Sequence, residues 1–459
     1  MIGIAFLAVY TVIMIAATVV LSKKGGKDNF YVGDRKMGPV RSAMSIAATW
    51  IWAPALFTSA EKAYQNGIAG LFWFLVPNAL CLLIFIPFAK RIREQMPEGI
   101  TLSGYIYSRY KSKPARNVYL IQLTALSILS TAVQLLAGGK IMSMVTGIPF
   151  PIMTIILAAI AFSYSWISGI QASVITDDIQ MLMILGVCAL FVPWALHDGG
   201  IGALSAGLGG FTGEYRNIFS QKGLGVFLSF GLPTAIGLIS GPFGDQCFWQ
   251  RAFSIRKDKI GVAFGLGAAF FAVAPLSMGI LGFIAAGLGF VPQSAGYVNF
   301  ELVTALLPSW TTLPFLLMLI SGLLSTVDSN LCAIASLTTD MVRIPTEKTA
   351  IRSMFLLLVA GISIANIPGL TVTQLFLFYG ILRATTLLPT VMTLCRVPLT
   401  GLGITVGVAV SMAVGLPIFA YGNLMGDSLY KTVGSLLAVI LSGTVAAIQA
   451  RSARRAGKI

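Results

Sequence analysis

Charged residues are scarce in this sequence, and their scarcity excludes an ordinary soluble protein. Only 10% of its 459 residues are charged and 56% are hydrophobic, whereas a soluble domain carries roughly 25% charged residues. No long polar block separates the apolar stretches, many of which reach the roughly 20 residues that a helix needs to cross a bilayer. We therefore expect an all-α polytopic membrane protein with a single membrane domain and no attached soluble domain.

The residues that most often carry enzyme chemistry are also few. The single histidine, His197, lies near the end of a predicted helix, where we expect a structural or incidental role. The cysteines lie inside or at the ends of apolar runs, are odd in number and form no C-x-x-C pair, which favours neither a metal site nor a disulfide framework. No nucleophile–base pair or phosphate-binding loop is evident, so we expect no enzyme. The cysteines are Cys81, Cys188, Cys247, Cys332 and Cys395.

Hydropathy and loop signals predict thirteen transmembrane helices. The first apolar run lacks a basic leader and a small-residue cleavage site, so we interpret it as a retained helix rather than a signal peptide. The predicted spans are residues 2–22, 38–60, 68–89, 117–144, 149–166, 172–196, 224–248, 261–289, 312–338, 351–367, 371–394, 399–421 and 429–450.

The basic residues are distributed unevenly between the two sides of the membrane that these spans define. Twenty-five lysines and arginines fall in the loops and tail on one side and four on the other. By the positive-inside rule the basic side is cytoplasmic. We therefore expect a protein of the cell membrane (plasma or inner membrane) with its amino terminus outside and its carboxyl terminus in the cytoplasm. This orientation explains the net charge of +15, so we expect membrane lipid, but no nucleic acid, as a partner.

Two of the predicted spans contain helix-breaking residues. "SIAATWIWAPALF" (45–57) places Pro54 after small residues, and "FGLPTAIGLISGPFGDQ" (230–246) contains two prolines and four glycines. Proline removes a backbone donor and glycine loosens a helix, so both segments can free carbonyl groups at membrane depth. Ordinary kinks are the alternative interpretation. Paired interruptions in corresponding halves of a chain are typical of the binding site of a transporter.

The positions of the two breaks predict an internal repeat. They fall in the second and seventh spans, which are five apart, so residues 38–196 and 197–394 would form two five-helix repeats of opposite orientation. Residues 1–37 would add one helix and a cytoplasmic loop before the repeats. Residues 395–459 would add two helices and a basic cytoplasmic tail after them.

Four segments resemble the solute:sodium symporter family. They are "YVGDRKMG" (31–38), "MSIAATWIWAPALFTSAEKAYQNG" (44–67), "YSWISGIQASVITDDIQ" (164–180), with Ser168 and Gly169 for the family's paired glycines, and "STVDSN" (325–330). The likeness extends over about residues 30–395. It implies the LeuT-type 5+5 inverted repeat, with one extra helix before it and two after it, which agrees with the thirteen predicted spans.

The segment "SGLLSTVDSN" (321–330) is unusually polar for membrane depth. On a helix Ser325, Asp328 and Ser329 share one face, and Thr326 lies on the adjacent face. Hydroxyls together with carbonyls freed at a broken helix can hold a sodium ion. Hydroxyls that bond back to their own helix are the alternative.

The resemblance implies the partners of these hydroxyls. The family's common sodium site corresponds here to the carbonyls of Ala48, Ile51 and Gly322 with the hydroxyls of Ser325 and Thr326. Gly322 stands where alanine is more frequent in the family, which matters little for a carbonyl ligand.

The resemblance also implies a second sodium site in some members of the family, formed here by Asp177, Ser325, Asp328 and Ser329. Two carboxylates around one ion would bind it tightly, or would share a proton in its absence. The alternative is that Asp177 and Asp178 lie in water near the cytoplasmic mouth.

The breaks indicate where a solute would bind. Trp52 and Ala55 lie at the first break and Gly241 at the second, while Ser130 and Gln134, four residues apart on one helix, could form a polar wall. Relatives that carry sugars place larger polar and aromatic residues at several of these positions, so the resemblance favours a small pocket. "GDQCFWQRAFS" (244–254) resembles a version of the motif in the family's urea-type branch. The segment lies toward the predicted cytoplasmic end of its span, so a role in gating rather than in solute binding is the alternative.

Arg383 lies near the middle of its span and needs a partner there. One interpretation is a structural ion pair with Asp328 or another buried carboxylate. The other is a clamp that holds the carboxylate of a solute with two parallel hydrogen bonds.

Together these features predict a sodium-coupled secondary active symporter that imports a small polar organic solute by alternating access, with Na+ as the coupling ion. A proton-coupled transporter of the same fold, working through Asp177 or Asp328, is one alternative. A non-transporting membrane sensor is the other.

Overall fold

The computed structural model describes residues 2–21 and 27–456. Within these ranges twelve helices are long and apolar enough to cross a membrane. The remaining predicted span, residues 38–60, is present as an interrupted helix. The basic residues Lys23, Lys24 and Lys458, which contribute to the predicted orientation, lie outside the described residues.

The first half of the described chain contains the helices up to the end of the sixth predicted span. They are α1 (Ile2–Leu21), α2 (Lys27–Val32), α3 (Pro39–Trp50), α4 (Ala53–Leu56), α5 (Thr58–Gln95), α6 (Leu102–Tyr110), α7 (Lys113–Thr146), α8 (Phe150–Ser168) and α9 (Ile170–Gly199).

The second half begins on the side that is predicted to be extracellular. Its helices are α10 (Ile201–Gly207), α11 (Gln221–Val226), α12 (Leu232–Ile239), α13 (Gln246–Ser254), α14 (Ile260–Gly287), α15 (Val298–Leu306), α16 (Thr312–Met341), α17 (Glu347–Ala365), α18 (Val372–Ala384), α19 (Leu387–Leu394), α20 (Gly401–Val410), α21 (Leu416–Met425) and α22 (Ser428–Arg455).

The predicted second span is a helix broken near its middle. Gly38 is extended and Pro39 follows it in the first turn, where the fixed φ of proline suits a helix start, so α3 begins there. α3 ends at Trp50. After two non-helical residues α4 resumes with Pro54 in its first turn, where a missing N–H costs no hydrogen bond.

The turn between the second and third spans lies inside α5. Gly67 has a φ of +54°, and a Cβ there would lie 2.5 Å from the carbonyl oxygen of Leu208. The position therefore requires glycine. The second span runs past its predicted end at residue 60 to this turn, and the third span continues to Gln95 rather than residue 89.

The predicted seventh span is also interrupted. A π-helical turn, Phe227–Gly231, joins α11 to α12, and a 3-10 turn, Pro242–Gly244, separates α12 from α13. α13 ends at Ser254, six residues beyond the predicted end of the span. Both breaks predicted from the sequence are therefore present as changes of helical geometry.

α16 forms the centre of the molecule. Its residues are buried without interruption from Met318 to Thr338, because α3, α7, α9 and α17 pack around it. The polar segment 321–330 consequently faces protein on every side, where each polar group needs a partner.

The two ends of the molecule differ in how open they are to solvent. On the predicted cytoplasmic side, the Met37 N–H donates to the Ser254 carbonyl at 3.2 Å and the Arg256 N–H to the Met37 carbonyl at 3.1 Å, which closes the entrances of the two broken spans against each other. On the opposite side a cavity of about 510 Å³ reaches down to Phe57 and Leu136. The conformation is therefore closed at the basic end.

Candidate functional site

The break in the second span exposes backbone groups that a continuous helix would pair. Trp52 is extended, with φ −97° and ψ 177°. The Ile51 N–H still pairs with the Ala47 carbonyl. Because α3 ends at Trp50, the carbonyls of Ala48, Thr49 and Trp50 lack the N–H partners that further helical residues would supply. The Ala53 N–H donates instead to the side chain of Gln134 on α7, at 2.7 Å. Gln134 thus stabilises the break.

Several oxygens predicted to bind sodium lie together beside this break. The Thr326 hydroxyl donates to the carbonyls of Thr49 at 3.1 Å and Gly322 at 3.2 Å. The Ile51 carbonyl approaches Gly322 so closely that a Cβ there would lie 2.9 Å from its oxygen. Ala48 precedes Thr49 in the same turn of α3. The broken helix and α16 thus meet through uncharged oxygens.

Ser325, the other predicted hydroxyl ligand, faces a different cluster. Its hydroxyl donates to Asp177 Oδ1 at 2.5 Å. Arg251 of α13 donates from Nη2 to Asp177 Oδ2 at 3.1 Å and to Ser329 Oγ at 2.8 Å, and from Nε to Ser45 Oγ at 3.0 Å. The residues predicted for a second sodium ion therefore lie together, but a guanidinium group lies among them.

The burial of Asp177 corrects one alternative drawn from the sequence. Asp177 is fully buried, whereas Asp178 pairs with Arg41 at 2.6 Å near the surface. The interpretation that both aspartates lie in water is therefore wrong for Asp177. Periodicity explains the difference, since adjacent helical residues point about 100° apart.

Asp328 is buried among hydroxyl groups. Its Oδ1 accepts from Ser173 at 2.8 Å and from Ser329 at 3.4 Å, and its Oδ2 accepts from Thr176 at 3.1 Å. Among the ion pairs of the described residues, Arg251 pairs with Asp177 and not with Asp328. Asp328 is thus a buried carboxyl group held by uncharged donors.

Arg383 forms the structural ion pair that the sequence left open as one interpretation. Its Nη2 lies 2.7 Å from Asp245 Oδ2, and both side chains are buried. Its guanidinium carbon lies 5.1, 4.8 and 4.8 Å from the ring centres of Trp50, Trp52 and Tyr379. The partner is therefore Asp245 rather than Asp328, and three aromatic rings surround the cation.

Four donors in this aromatic cluster have no hydrogen-bond partner within the described part of the chain. They are Nε and Nη1 of Arg383, Nε1 of Trp52 and the hydroxyl of Tyr379. By contrast, Nε1 of the adjacent Trp50 donates to the Asn78 carbonyl at 3.2 Å. Because buried polar groups are almost always paired, donors collected in one place without a protein partner mark a position for a ligand or an ordered water molecule.

The other residues predicted to contact solute divide into two groups. Gly241 lies against Trp50, since a Cβ there would come within 2.4 Å of the indole, and Ala55 is buried in α4 beside the same break. Ser130, however, accepts a hydrogen bond from Asn330 of α16 at 3.0 Å, and Gln134 stabilises the break. Ser130 and Gln134 therefore connect helices.

Sequence reasoning missed Arg251, Asp245 and Trp50. Asp245 and Arg251 both belong to "GDQCFWQRAFS", which the sequence indicates near the cytoplasmic end of its span. In the structure their exposed fractions are only 3% and 2%. Two opposite charges six residues apart in a mostly apolar segment are the signal that could have identified them.

Comparison with known proteins agrees with the fold and with the four sequence segments. The sequence profile of the sodium:solute symporter family matches residues 30–392. A "Probable urea active transporter 1" of Schizosaccharomyces pombe is 28% identical over 56% of this chain and 40% of its own length. The "Urea-proton symporter DUR3" of Oryza sativa subsp. japonica is 22% identical over 88% of this chain and 63% of its own length.

A solved structure shares the whole architecture. A Na+-coupled sialic acid symporter in a substrate-bound outward-open state superposes with a TM-score of 0.75 over 98% of both chains, at 16% identity. The predicted LeuT-type fold is confirmed, and the chain is a multi-pass membrane protein. The chain spans less than two thirds of the length of the two curated relatives, at 40% and 63%. The family profile matches well over half of the sequence, and the protein therefore belongs to the sodium:solute symporter family.

Proposed function

We propose that the protein is a secondary active transporter that uses inward movement of sodium to import a small polar solute by alternating access. The observation that carries this proposal is the meeting of the broken helix with α16 around Thr326. Its hydroxyl contacts carbonyls of Thr49 and Gly322, and the Ile51 carbonyl lies beside them.

The chemistry of these oxygens favours sodium. Hard cations take oxygen ligands, and uncharged carbonyls and hydroxyls bind a monovalent ion weakly enough for its release. An ion bound here, with Ala48, Ile51, Gly322, Ser325 and Thr326 as its predicted ligands, would hold α3 against α16. At about 100 mV one inward charge contributes roughly 2.3 kcal/mol, enough for about fifty-fold accumulation of solute.

The aromatic cluster supports a neutral, planar solute. The pairing of Arg383 with Asp245 leaves no net charge, so a carboxylate would add a buried negative charge without a counter-ion. The unpaired donors of Arg383, Trp52 and Tyr379 call for an acceptor such as a carbonyl oxygen. The rings of Trp50 and Trp52 stack on each other with their centres 4.8 Å apart, so a flat solute would pack against the outside of this pair. Urea and small amides meet these requirements, and two relatives carry urea in their names.

A proton-coupled transporter is the second candidate. The specific observation in its favour is Asp328, a buried carboxyl group with hydroxyl donors alone. A relative named as a urea-proton symporter supports the same idea.

Uptake by proteoliposomes tests both candidates. The purified protein would be reconstituted and offered labelled urea, amino acids, monocarboxylates and amines, with an inward gradient of sodium, of protons or of neither. We expect urea or a small amide to accumulate with the sodium gradient and not when choline replaces sodium. Accumulation driven by the proton gradient without sodium would reject sodium coupling in favour of the second candidate.

A further inference from the structure

The carboxylate of Asp245 has two separate partners. Its Oδ1 accepts a hydrogen bond from the Cys247 N–H at 3.0 Å, which caps the amino-terminal end of α13. Its Oδ2 lies 2.7 Å from Nη2 of Arg383 on α18. Asp245 is 3% exposed and Arg383 is 1% exposed, so protein shields this ion pair from water.

The backbone around Asp245 keeps its carboxylate beside Arg383. A Cβ on the preceding residue, Gly244, would lie 2.8 Å from the Arg383 Cα, so the two backbones are in direct contact. The Gln122 side chain of α7 donates to the Gly244 carbonyl at 2.9 Å. Because the turn before α13 is fixed in this way, Asp245 stays paired with Arg383 instead of turning toward a solute.

Part of the Arg383 guanidinium group remains for a solute. Nη2 is paired with Asp245, while Nε and Nη1 have no partner within the described part of the chain. The unpaired donors of Trp52 and Tyr379 belong to the same cluster, since both ring centres lie 4.8 Å from the guanidinium carbon. A solute bound to these donors would contact a cation whose charge Asp245 already balances.

The aromatic cluster therefore has no net charge of its own. Among the ion pairs of the described residues, Arg383 and Asp245 pair only with each other. The titratable groups that interact with them electrostatically include Cys81, Cys247 and Tyr379, which are uncharged at neutral pH in their ordinary forms. A charged solute would bring a buried charge without a counter-ion, which is strongly unfavourable.

We propose that Asp245 is a specificity-determining residue, which makes the cluster select an uncharged solute over an anion of the same shape by balancing Arg383. This inference rests on the proposed function, because it takes the aromatic cluster as the solute site. Asp245→Asn would leave one positive charge without a counter-ion, so the variant should select a carboxylate. Asparagine is nearly isosteric with aspartate and also caps helices well, so the substitution changes the charge with little change in shape.

Acetate, acetamide and acetamidinium provide the test, because they have nearly the same shape and carry a negative, no and a positive charge. Equilibrium binding of each labelled ligand to the purified full chain would be measured at neutral pH in sodium gluconate, so that no small inorganic anion competes for Arg383. We expect the wild type to prefer acetamide to acetate. In Asp245→Asn the affinity for acetate relative to acetamide should rise roughly thirty-fold or more, as is usual when one member of a buried charge pair is changed.

Two further variants control for effects other than charge. Asp245→Asn combined with Arg383→Gln removes both charges, so it should lose the preference for acetate that Asp245→Asn alone gains. Arg383→Gln alone leaves Asp245 without its counter-ion, so acetamidinium should gain affinity relative to acetamide. This reciprocal variant decides the question if Asp245→Asn does not fold. The wild-type preference for acetamide in both single variants would overturn the proposal, and so would equal affinities of the wild type for acetate and acetamide.

Thermal unfolding separates this inference from the solute class in the proposed function. Acetate should raise the unfolding temperature of Asp245→Asn, because it supplies the missing negative charge, and acetamide should not. If the wild type binds neither urea nor acetamide while acetate stabilises Asp245→Asn, the proposed solute class fails and the role of Asp245 stands. If the wild type binds acetamide and both single variants keep that preference, the proposed function stands and the role of Asp245 is rejected.

Discussion

Ser325 and Thr326 are neighbours in the sequence, yet their hydroxyls have different partners. Thr326 faces the end of α3, and Ser325 faces Asp177 on α9. The separation follows from helix geometry, because consecutive residues point about 100° apart. Donation to Asp177 does not exclude Ser325 as an ion ligand, because a hydroxyl oxygen keeps lone pairs for a cation while it donates its hydrogen.

The indole nitrogens of Trp50 and Trp52 provide a matched pair of tests at the residue scale. Trp52→Phe removes a donor that no described residue accepts. We expect solute affinity to fall roughly two- to ten-fold, the value of one hydrogen bond, with little change in stability. Trp50→Phe removes a donor already satisfied by Asn78 and should lower stability more than affinity. Equilibrium binding of labelled solute and thermal unfolding would separate the two effects, and equal affinity losses would contradict the assignment.

The sequence identified most of the residues in the candidate site but not their pairings. The polar segment 325–330 and the break at Pro54 are local patterns that periodicity and helix breakers reveal. The pairings of Arg251 with Asp177 and of Arg383 with Asp245 depend on how α13 is placed after its break. No local sequence pattern predicts that placement, so the sequence left two interpretations of Arg383.

At the scale of elements, hydropathy predicted the spans and placed some of their ends wrongly. The second span extends to the turn at Asn66 and Gly67, the first residues of α5 with non-helical φ and ψ angles, and the hydropathy signal ended before that turn. α10 and α15 are short helices outside the predicted spans. They are too short to give a transmembrane signal, and tertiary packing rather than propensity stabilises such helices.

The contact between α10 and α14 gives a test of this packing. A Cβ on Gly207 would lie 1.8 Å from the Phe283 carbonyl oxygen, whereas nothing lies within 4 Å of one on Gly202 in the same helix. We expect Gly207→Ala to lower the free energy of unfolding by about 1–3 kcal/mol, the usual cost of overpacking. Gly202→Ala should leave it unchanged or slightly higher. Thermal unfolding in detergent measures both, and similar unfolding temperatures for the two variants would reject the close approach.

At the scale of the whole molecule, the orientation of the chain remains a prediction from its basic loops. Cys395 offers a direct test, because it is exposed and the other four cysteines are buried. It lies on the predicted cytoplasmic side. A membrane-impermeant maleimide should label the protein in inside-out vesicles and not in intact cells, and Cys395→Ser should abolish that labelling. Labelling in intact cells would show that the orientation is opposite to the predicted one.

The closed basic end and the cavity at the other end fit one state of an alternating-access cycle. The hydrogen bonds between Met37 and the end of α13 must break before a path to the basic side can open. The inner half of the broken helix, α3, carries both Thr49 and Ser45, which contact the candidate sodium site and the Arg251 cluster respectively. Events at either site would therefore act on the same element.

Sodium binding at Thr326 is the central claim, and a sodium titration of thermal stability tests it most directly. Purified protein would be heated in mixtures of sodium and choline chloride at constant ionic strength. A ligand at 100 times its Kd stabilises the folded state by about 2.7 kcal/mol. We predict that sodium raises the unfolding temperature of the wild type and of Thr326→Ser, which keeps the hydroxyl, but not that of Thr326→Ala. An unchanged sodium titration in Thr326→Ala, or a wild type that sodium stabilises no more than choline, would contradict the account.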